Sequence, residues 1–140
     1  MTRTEYERYV ALFNAEDTSA FRTYLTEDVR VCNGHLEYQG VQGMIDHYAK
    51  IWGNFKETLN VLQYIGNTDN VAVELHTHFD VLVDDEQSLF GPVKAGETFD
   101  YYGIVMYRLR EGRFCEIKVS YLDFVHTNLS GKRTSLGIVH

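Results

Sequence analysis

Between Glu97 and Val125 the chain carries two runs rich in aromatic and β-branched residues, Thr98 to Leu109 and Phe114 to Phe124, split by Arg110-Glu111-Gly112-Arg113. Two such runs around a short glycine-containing turn read as a long antiparallel hairpin, and the fold must be built around it. Its alternation assigns Asp100, Tyr102, Ile104 and Met106 to one face of the first strand and Phe99, Tyr101, Gly103, Val105 and Tyr107 to the other. On the second strand Ile117, Val119, Tyr121 and Asp123 share a face. A face mixing apolar groups, tyrosines and two carboxylates has the composition of a pocket wall, so Asp100, Tyr102, Tyr121 and Asp123 are expected to look into a cavity.

Upstream, the periodicity is helical. Thr4 and Glu7 have the spacing of a capping box, and Tyr6, Tyr9, Val10 and Phe13 follow at i, i+3, i+4 and i+7, which predicts an amphipathic helix ending near Asn14. Asp17 or Thr18 caps a short second helix through Phe21, Tyr24 and Leu25. Val29 to Cys32 reads as a short strand, Asn33-Gly34 as a turn and His35 to Gln39 as a return strand. After Gly40 a third helix carries the stripe Val41, Met44, Ile45, Tyr48, Ile51 and Trp52, with His47 at its edge, where it can face a cavity. From Thr58 the period becomes two: a strand to Ile65, a turn over Gly66 to Asn70, then a long strand from Val71 to Val83. Asp84 to Gly96, acidic and containing Gly91-Pro92, reads as a loop placed to cover a pocket mouth. The expected fold is α+β: three N-terminal helices packed on a curved antiparallel sheet, forming a cone with an internal pocket, a cystatin-like α+β barrel. Residues 1–125 form one domain, and 126–140 a tail, polar and small until Leu136 to Val139, that docks weakly or on a neighbour.

Bulk properties narrow the partners. With 140 residues, 44% hydrophobic and 14% aromatic, one proline and no repeat, the chain suits a single ordered domain with a real core. Its formal charge of -7 repels phosphate backbones and anionic lipid, so neither nucleic acid nor a membrane surface is an expected partner. The charged start, Met1-Thr-Arg-Thr-Glu-Tyr-Glu-Arg, is unlike a signal peptide, no apolar run approaches the roughly 18 residues of a bilayer span, and a cytoplasmic protein is expected. Cys32 and Cys115, lacking metal-type spacing, are expected to be reduced thiols.

The order of elements, the run Arg8-Tyr9-Val10-Ala11-Leu12-Phe13-Asn14-Ala15-Glu16-Asp17, the triplet Glu27-Asp28-Val29, Gly40 before the third helix and Glu111-Gly112-Arg113 together resemble the nuclear-transport-factor-2-like superfamily. More narrowly, the chain resembles the SnoaL-like polyketide cyclase and ketosteroid isomerase branch over roughly residues 4 to 125. The resemblance implies a conical pocket and a homodimer. Tyr9 matches the tyrosine that hydrogen-bonds the developing enolate in ketosteroid isomerases, and Tyr48 the one supporting it. The isomerases' general-base aspartate falls on Asn33, an amide unable to abstract a proton, and their oxyanion-hole aspartate falls near Ile104. The arginine of the epoxide hydrolases' Arg-x-Asp pair is replaced at the nearest positions, His76-x-His78 or His78-x-Asp80. Tyr121-Leu122-Asp123 resembles the Tyr-x-Asp ending common in SnoaL-like sequences.

Glu74, His76, His78 and Asp80 share one face of the long strand, and Val73, Leu75, Thr77, Phe79 and Val81 the other. If the polar stripe lines the cone, a histidine with a carboxylate partner supplies a base near neutral pH; if it lies outside, it is a solvated or dimer-facing surface. Packing the apolar face on the helices favours the outside. His76-x-His78 also has the i, i+2 projection of two metal ligands, with Glu74 or Asp80 as a third, but two histidines alone are a weak signal, so no metal and no cofactor are expected. The sequence contains neither a nucleophile-elbow serine motif nor a phosphate-binding glycine motif.

The reading is therefore a SnoaL-like small-molecule enzyme using cofactor-independent acid/base chemistry (isomerisation, cyclisation or dehydration) on an apolar carbonyl-containing substrate. Tyr9, His76 and Asp100 are the catalytic candidates, and Asn33, His47, Tyr48, Trp52, Glu74, His78, Tyr102, Tyr121 and Asp123 the ligand-binding ones. The rival is a non-catalytic small-molecule carrier or a dimeric interaction module of the same fold.

Overall fold

The computed structural model describes residues 1–137. The elements run α1 (Arg3–Asn14), α2 (Ser19–Tyr24), β1 (Leu25–Asn33), β2 (Leu36–Gln39), α3 (Gly40–Ala49), β3 (Phe55–Gly66), β4 (Asn70–Val81), β5 (Asp85–Ser88), β6 (Gly91–Val93), β7 (Thr98–Arg110), β8 (Arg113–Thr127) and β9 (Arg133–Ser135). The capping box lies two residues before the expected one: Thr2 Oγ1 accepts from the Glu5 amide while Glu5 Oε2 accepts from the Thr2 amide at 2.7 Å. Only two helices precede the sheet, because α3 follows the β1–β2 hairpin.

One curved sheet with strand order β2-β1-β8-β7-β4-β3 forms the wall of the cone. It is mixed rather than purely antiparallel, since β1 pairs with β8 in parallel, the chain passing through α3, β3, β4 and β7 before it returns. The organising hairpin is present: β7 and β8 pair from Thr98↔Thr127 to Arg110↔Arg113. Its turn residues Glu111 and Gly112 take φ of 53° and 77°, the left-handed values that a tight two-residue hairpin turn needs. β8 continues to Thr127, and β9, within the stretch read as a tail, pairs back on it. Ile138 and Val139, part of the apolar end of that stretch, lie outside the described residues.

The helices cover the concave side. Tyr6, Tyr9, Val10 and Phe13 of α1 are buried, as their spacing requires, against Tyr107 and Phe114 of the hairpin; the Tyr6 and Tyr107 hydroxyls are 2.9 Å apart. Asn14, the last residue of α1, clasps β3: its Oδ1 accepts from the Leu59 amide at 2.8 Å and its Nδ2 donates to the Leu59 carbonyl at 3.0 Å. The Asp84 to Gly96 segment is not an open loop but holds the β5–β6 hairpin, whose Phe90 packs on Phe55, Phe79, Phe99 and Phe124 with ring centroids 4.8–5.1 Å apart. Among the described residues no helix is long and apolar enough to cross a membrane.

Candidate functional site

The cone encloses a cavity of about 430 Å³. Partly exposed Leu36, Leu89 and Tyr121 mark its mouth, Phe90 hangs over one side, and Tyr9, Phe13, Tyr107 and Ile117 lie towards α1. β4 presents Leu75, Thr77 and Phe79 inward, and β7 presents Tyr101, Val105 and Tyr107. The polar stripe of β4 is therefore on the convex side, as hydrophobic packing on the helices demands.

This parity corrects several assignments. Asp100 and Tyr102 pair across the ladder with His78 and His76, on the convex face, so they do not line the pocket. Glu74, His76 and His78 are outside for the same reason, and the catalytic pair His76 and Asp100 is removed from the cavity although the two side chains do meet. On β8 the expected face holds through Ile117, Val119 and Tyr121 and then breaks: Gly103 pairs with Tyr121 but Tyr102 pairs with Asp123, leaving Leu122 as a bulge. The extra residue turns Asp123 to the convex side, where its Oδ1 accepts from the Ser135 hydroxyl, and brings Phe124 inward. Trp52 is also not a lining residue; its indole stacks on Phe21, centroids 5.7 Å apart, behind the rings of Phe13 and Tyr48.

Tyr9, Asn33, His47, Tyr48 and Tyr121 do reach the cavity. Burial pushes the Tyr9 phenol well above its usual range, with Tyr107, Tyr38 and Glu57 adding to the shift, so it stays a protonated donor. Burial, followed by the charge of Glu57, does the same to Tyr48. Among the described residues neither hydroxyl has a protein hydrogen-bond partner, which leaves both for a ligand. Asn33 Oδ1 is likewise buried without a partner. His47 stacks on Tyr38 at 4.7 Å, and burial, helped by Lys50, lowers its pKa, so it is a neutral imidazole at pH 7.

Sequence reasoning missed a buried carboxyl in the site. Glu57 of β3 is 5% exposed, lines the cavity, and has Oε2 buried with no hydrogen-bond partner. Burial alone pushes its carboxyl up from the ordinary 4.5 to about 8. Among the described residues it is the one carboxyl lining the pocket. β3 begins at Phe55 rather than at Thr58, so Phe55, Glu57 and Leu59 alternate inward; a glutamate on an otherwise apolar strand face was the available signal. Asn14 grips the strand backbone at Leu59, and the Lys56 side chain donates from Nζ to the Asn14 carbonyl at 2.6 Å, so residues on both sides of Glu57 are tied to the end of α1. Tyr38, Thr77 and Tyr101 also escaped notice as lining residues. The Tyr101 ring lies along the strand over Gly103, where an added Cβ would come within 1.9 Å of its hydroxyl, and that hydroxyl donates to the Ser120 carbonyl at 2.9 Å.

An α+β cone closed by helices around a mostly apolar cavity with a buried acid defines a small-molecule-enzyme-like architecture. The chain belongs to the SnoaL-like domain family, whose model matches residues 6–117. Among solved structures it is similar to a candidate polyketide cyclase from Pseudomonas putida KT2440, with 26% identity over 94% of this chain and 95% of that one and a TM-score of 0.72. A second candidate polyketide cyclase, from Xanthomonas campestris pv. campestris, shares 21% identity over 83% and 86% of the two chains, TM-score 0.71. An LEH-like epoxide hydrolase of M. tuberculosis shares the fold at 11% identity over 83% and 78%, TM-score 0.66. A comparison with curated proteins returned no match.

Proposed function

We propose that the protein is a cofactor-independent acid/base enzyme acting on an apolar, carbonyl-containing small molecule, with Glu57 moving the proton. The observation that carries this reading is the buried, unpartnered Glu57 carboxyl with a pKa of about 8 in a cavity shared with Tyr9 and Tyr48. A carboxyl that is mostly protonated at pH 7, yet ionises within reach of it, serves as acid or base without a large energetic cost in either direction. Tyr9 and Tyr48 offer hydroxyl donors to a carbonyl oxygen as negative charge develops on it, and Asn33 offers an amide to a second polar group. The aromatic and aliphatic remainder of the lining selects an apolar ligand that fits about 430 Å³. Similarity to the candidate cyclase of P. putida supports chemistry at a carbonyl. The homodimer implied by the family belongs to this reading, supported by exposed Ile104 and Met106 on the convex face; a sedimentation mass of one chain would remove it.

The test is proton exchange. Cyclic and aromatic ketones are incubated with the protein in D2O, and deuterium entry beside the carbonyl is followed by NMR. Exchange or isomerisation that falls about 100-fold or more in Glu57→Gln, and by a smaller factor in Tyr9→Phe, is the expected result. A rate unchanged by Glu57→Gln removes Glu57 from the mechanism. The second reading, a ligand carrier, is favoured by an amide at Asn33 where the isomerases place their base. Tight binding with every ligand recovered unchanged and undeuterated would establish it.

A further inference from the structure

The convex face of the sheet holds a cluster that the pocket does not use. His76 and His78 lie two residues apart on β4 and project together, and Asp100 on β7 is the direct cross-strand partner of His78. Asp100 Oδ1 is 2.7 Å from His76 Nε2 and 2.8 Å from His78 Nδ1, and one donor atom from each of the three residues lies within 4.8 Å of the other two. Their side chains are half-buried, at 26%, 33% and 14% exposure. We propose that His76, His78 and Asp100 form a binding site for one zinc ion, held by His76 Nε2, His78 Nδ1 and an Asp100 carboxylate oxygen, that clamps β4 to β7.

The donor set selects the metal. Two imidazoles and one carboxylate suit a borderline divalent ion such as zinc, whereas magnesium and calcium prefer shells of oxygen. Geometry comes next. Bonds of about 2.1 Å in a tetrahedron set the ligand atoms about 3.4 Å apart. The two contacts to Asp100 are about 0.6 Å shorter than this and the donor atoms lie within 4.8 Å of one another, so binding moves Asp100 back and settles the two imidazoles at the same spacing, while the ladder keeps the strand backbones in place. The imidazoles are also aimed. His76 stacks on Tyr102, its cross-strand partner, with centroids 4.8 Å apart and planes 15° from parallel. His78 Nε2 lies 3.3 Å from Asp80 Oδ1, so the far nitrogen carries its proton towards a carboxylate and Nδ1 is left for the ion, the outer-shell arrangement that orients metal-bound histidines. The fourth position is open to water. On binding, the ion replaces any proton on His76 Nε2 and His78 Nδ1; each imidazole then keeps a single proton on its other nitrogen, Nδ1 of His76 and Nε2 of His78, and a proton in excess of one per ring leaves to solvent. The inward neighbours on the clamped strands are Leu75, Thr77 and Tyr101, so the ion stiffens one wall of the pocket from outside without touching its contents.

The experiment uses tag-free, chelator-stripped full-length protein, titrated with zinc against a chromophoric chelator and, separately, with cobalt for its d–d absorption. One ion per chain is expected, with tetrahedral cobalt bands and a melting temperature that rises with zinc concentration. His76→Ala and His78→Ala should each weaken zinc binding by about 10-fold or more, and Asp100→Asn, nearly isosteric, should do so without disturbing the ladder. Circular dichroism checks each variant's fold, and Asp100→Asn together with the wild-type cobalt spectrum carries the test if an alanine variant fails to fold. Cys32→Ser with Cys115→Ser should keep full affinity. Absence of saturable binding by the wild-type protein, a thiolate-to-cobalt charge-transfer band, or affinity unchanged in the folded His76→Ala/His78→Ala double variant overturns the site.

Discussion

Replacing Glu57 by glutamine tests the centre of the pocket without needing a substrate. In the folded protein burial lifts this carboxyl from 4.5 to about 8, whereas in the unfolded chain it titrates at its ordinary value. Between those two values the folded state therefore holds a proton that the unfolded state has released. Stability must fall as pH rises through this window, by about 1.4 kcal/mol per pH unit, starting near pH 4.5 and levelling off above about pH 8. The full loss has a ceiling of about 5 kcal/mol, and water drawn into the cavity when the carboxylate forms brings it nearer about 3 kcal/mol. Glutamine keeps the shape and never ionises, so the variant lacks this slope. Urea unfolding of both proteins, at about pH 5 and again at about pH 8.5, isolates the effect, because every other titrating group is common to both and cancels in the difference. The variant should gain about 3 kcal/mol on the wild-type protein between the two conditions. A difference that does not change with pH means that Glu57 ionises normally, and the acid/base reading loses its proton carrier.

Three further outcomes follow from the same geometry. Asn14→Ala removes both hydrogen bonds to the Leu59 backbone and should cost about 1–3 kcal/mol in chemical denaturation, with faster amide exchange at Leu59. Gly103→Ala drives a methyl into the Tyr101 hydroxyl and the Ser120 carbonyl, so it should destabilise by about 1–3 kcal/mol and perturb the Tyr101 ring signals in an NMR spectrum. Glu74→Gln, on the convex side of β4, should leave both deuterium exchange of a ketone and thermal stability within error of the wild-type protein, because the side chain faces away from the cavity.

Local chemistry made much of this protein legible from its residues. The aromatic stripe of α1 had to be buried, Glu111-Gly112 had to turn a hairpin, and the run of period two had to form strands, since each pattern depends on neighbours a few positions away. Tyr9 and Tyr48 were placed in the pocket by family resemblance, and His47 by its position at the edge of the α3 stripe. What a single strand cannot state is which of its two faces the rest of the fold will cover. That choice sent His76, His78 and Asp100 outward and gathered them into one cluster from two strands. It also turned Asp123 away through a one-residue bulge at Leu122, invisible to a period-two reading. Glu57 shows the reverse case. In sequence it is an ordinary acidic residue at a strand start, and only its enclosure by α1, α3 and the curved sheet strips it of water and makes its proton available near neutral pH.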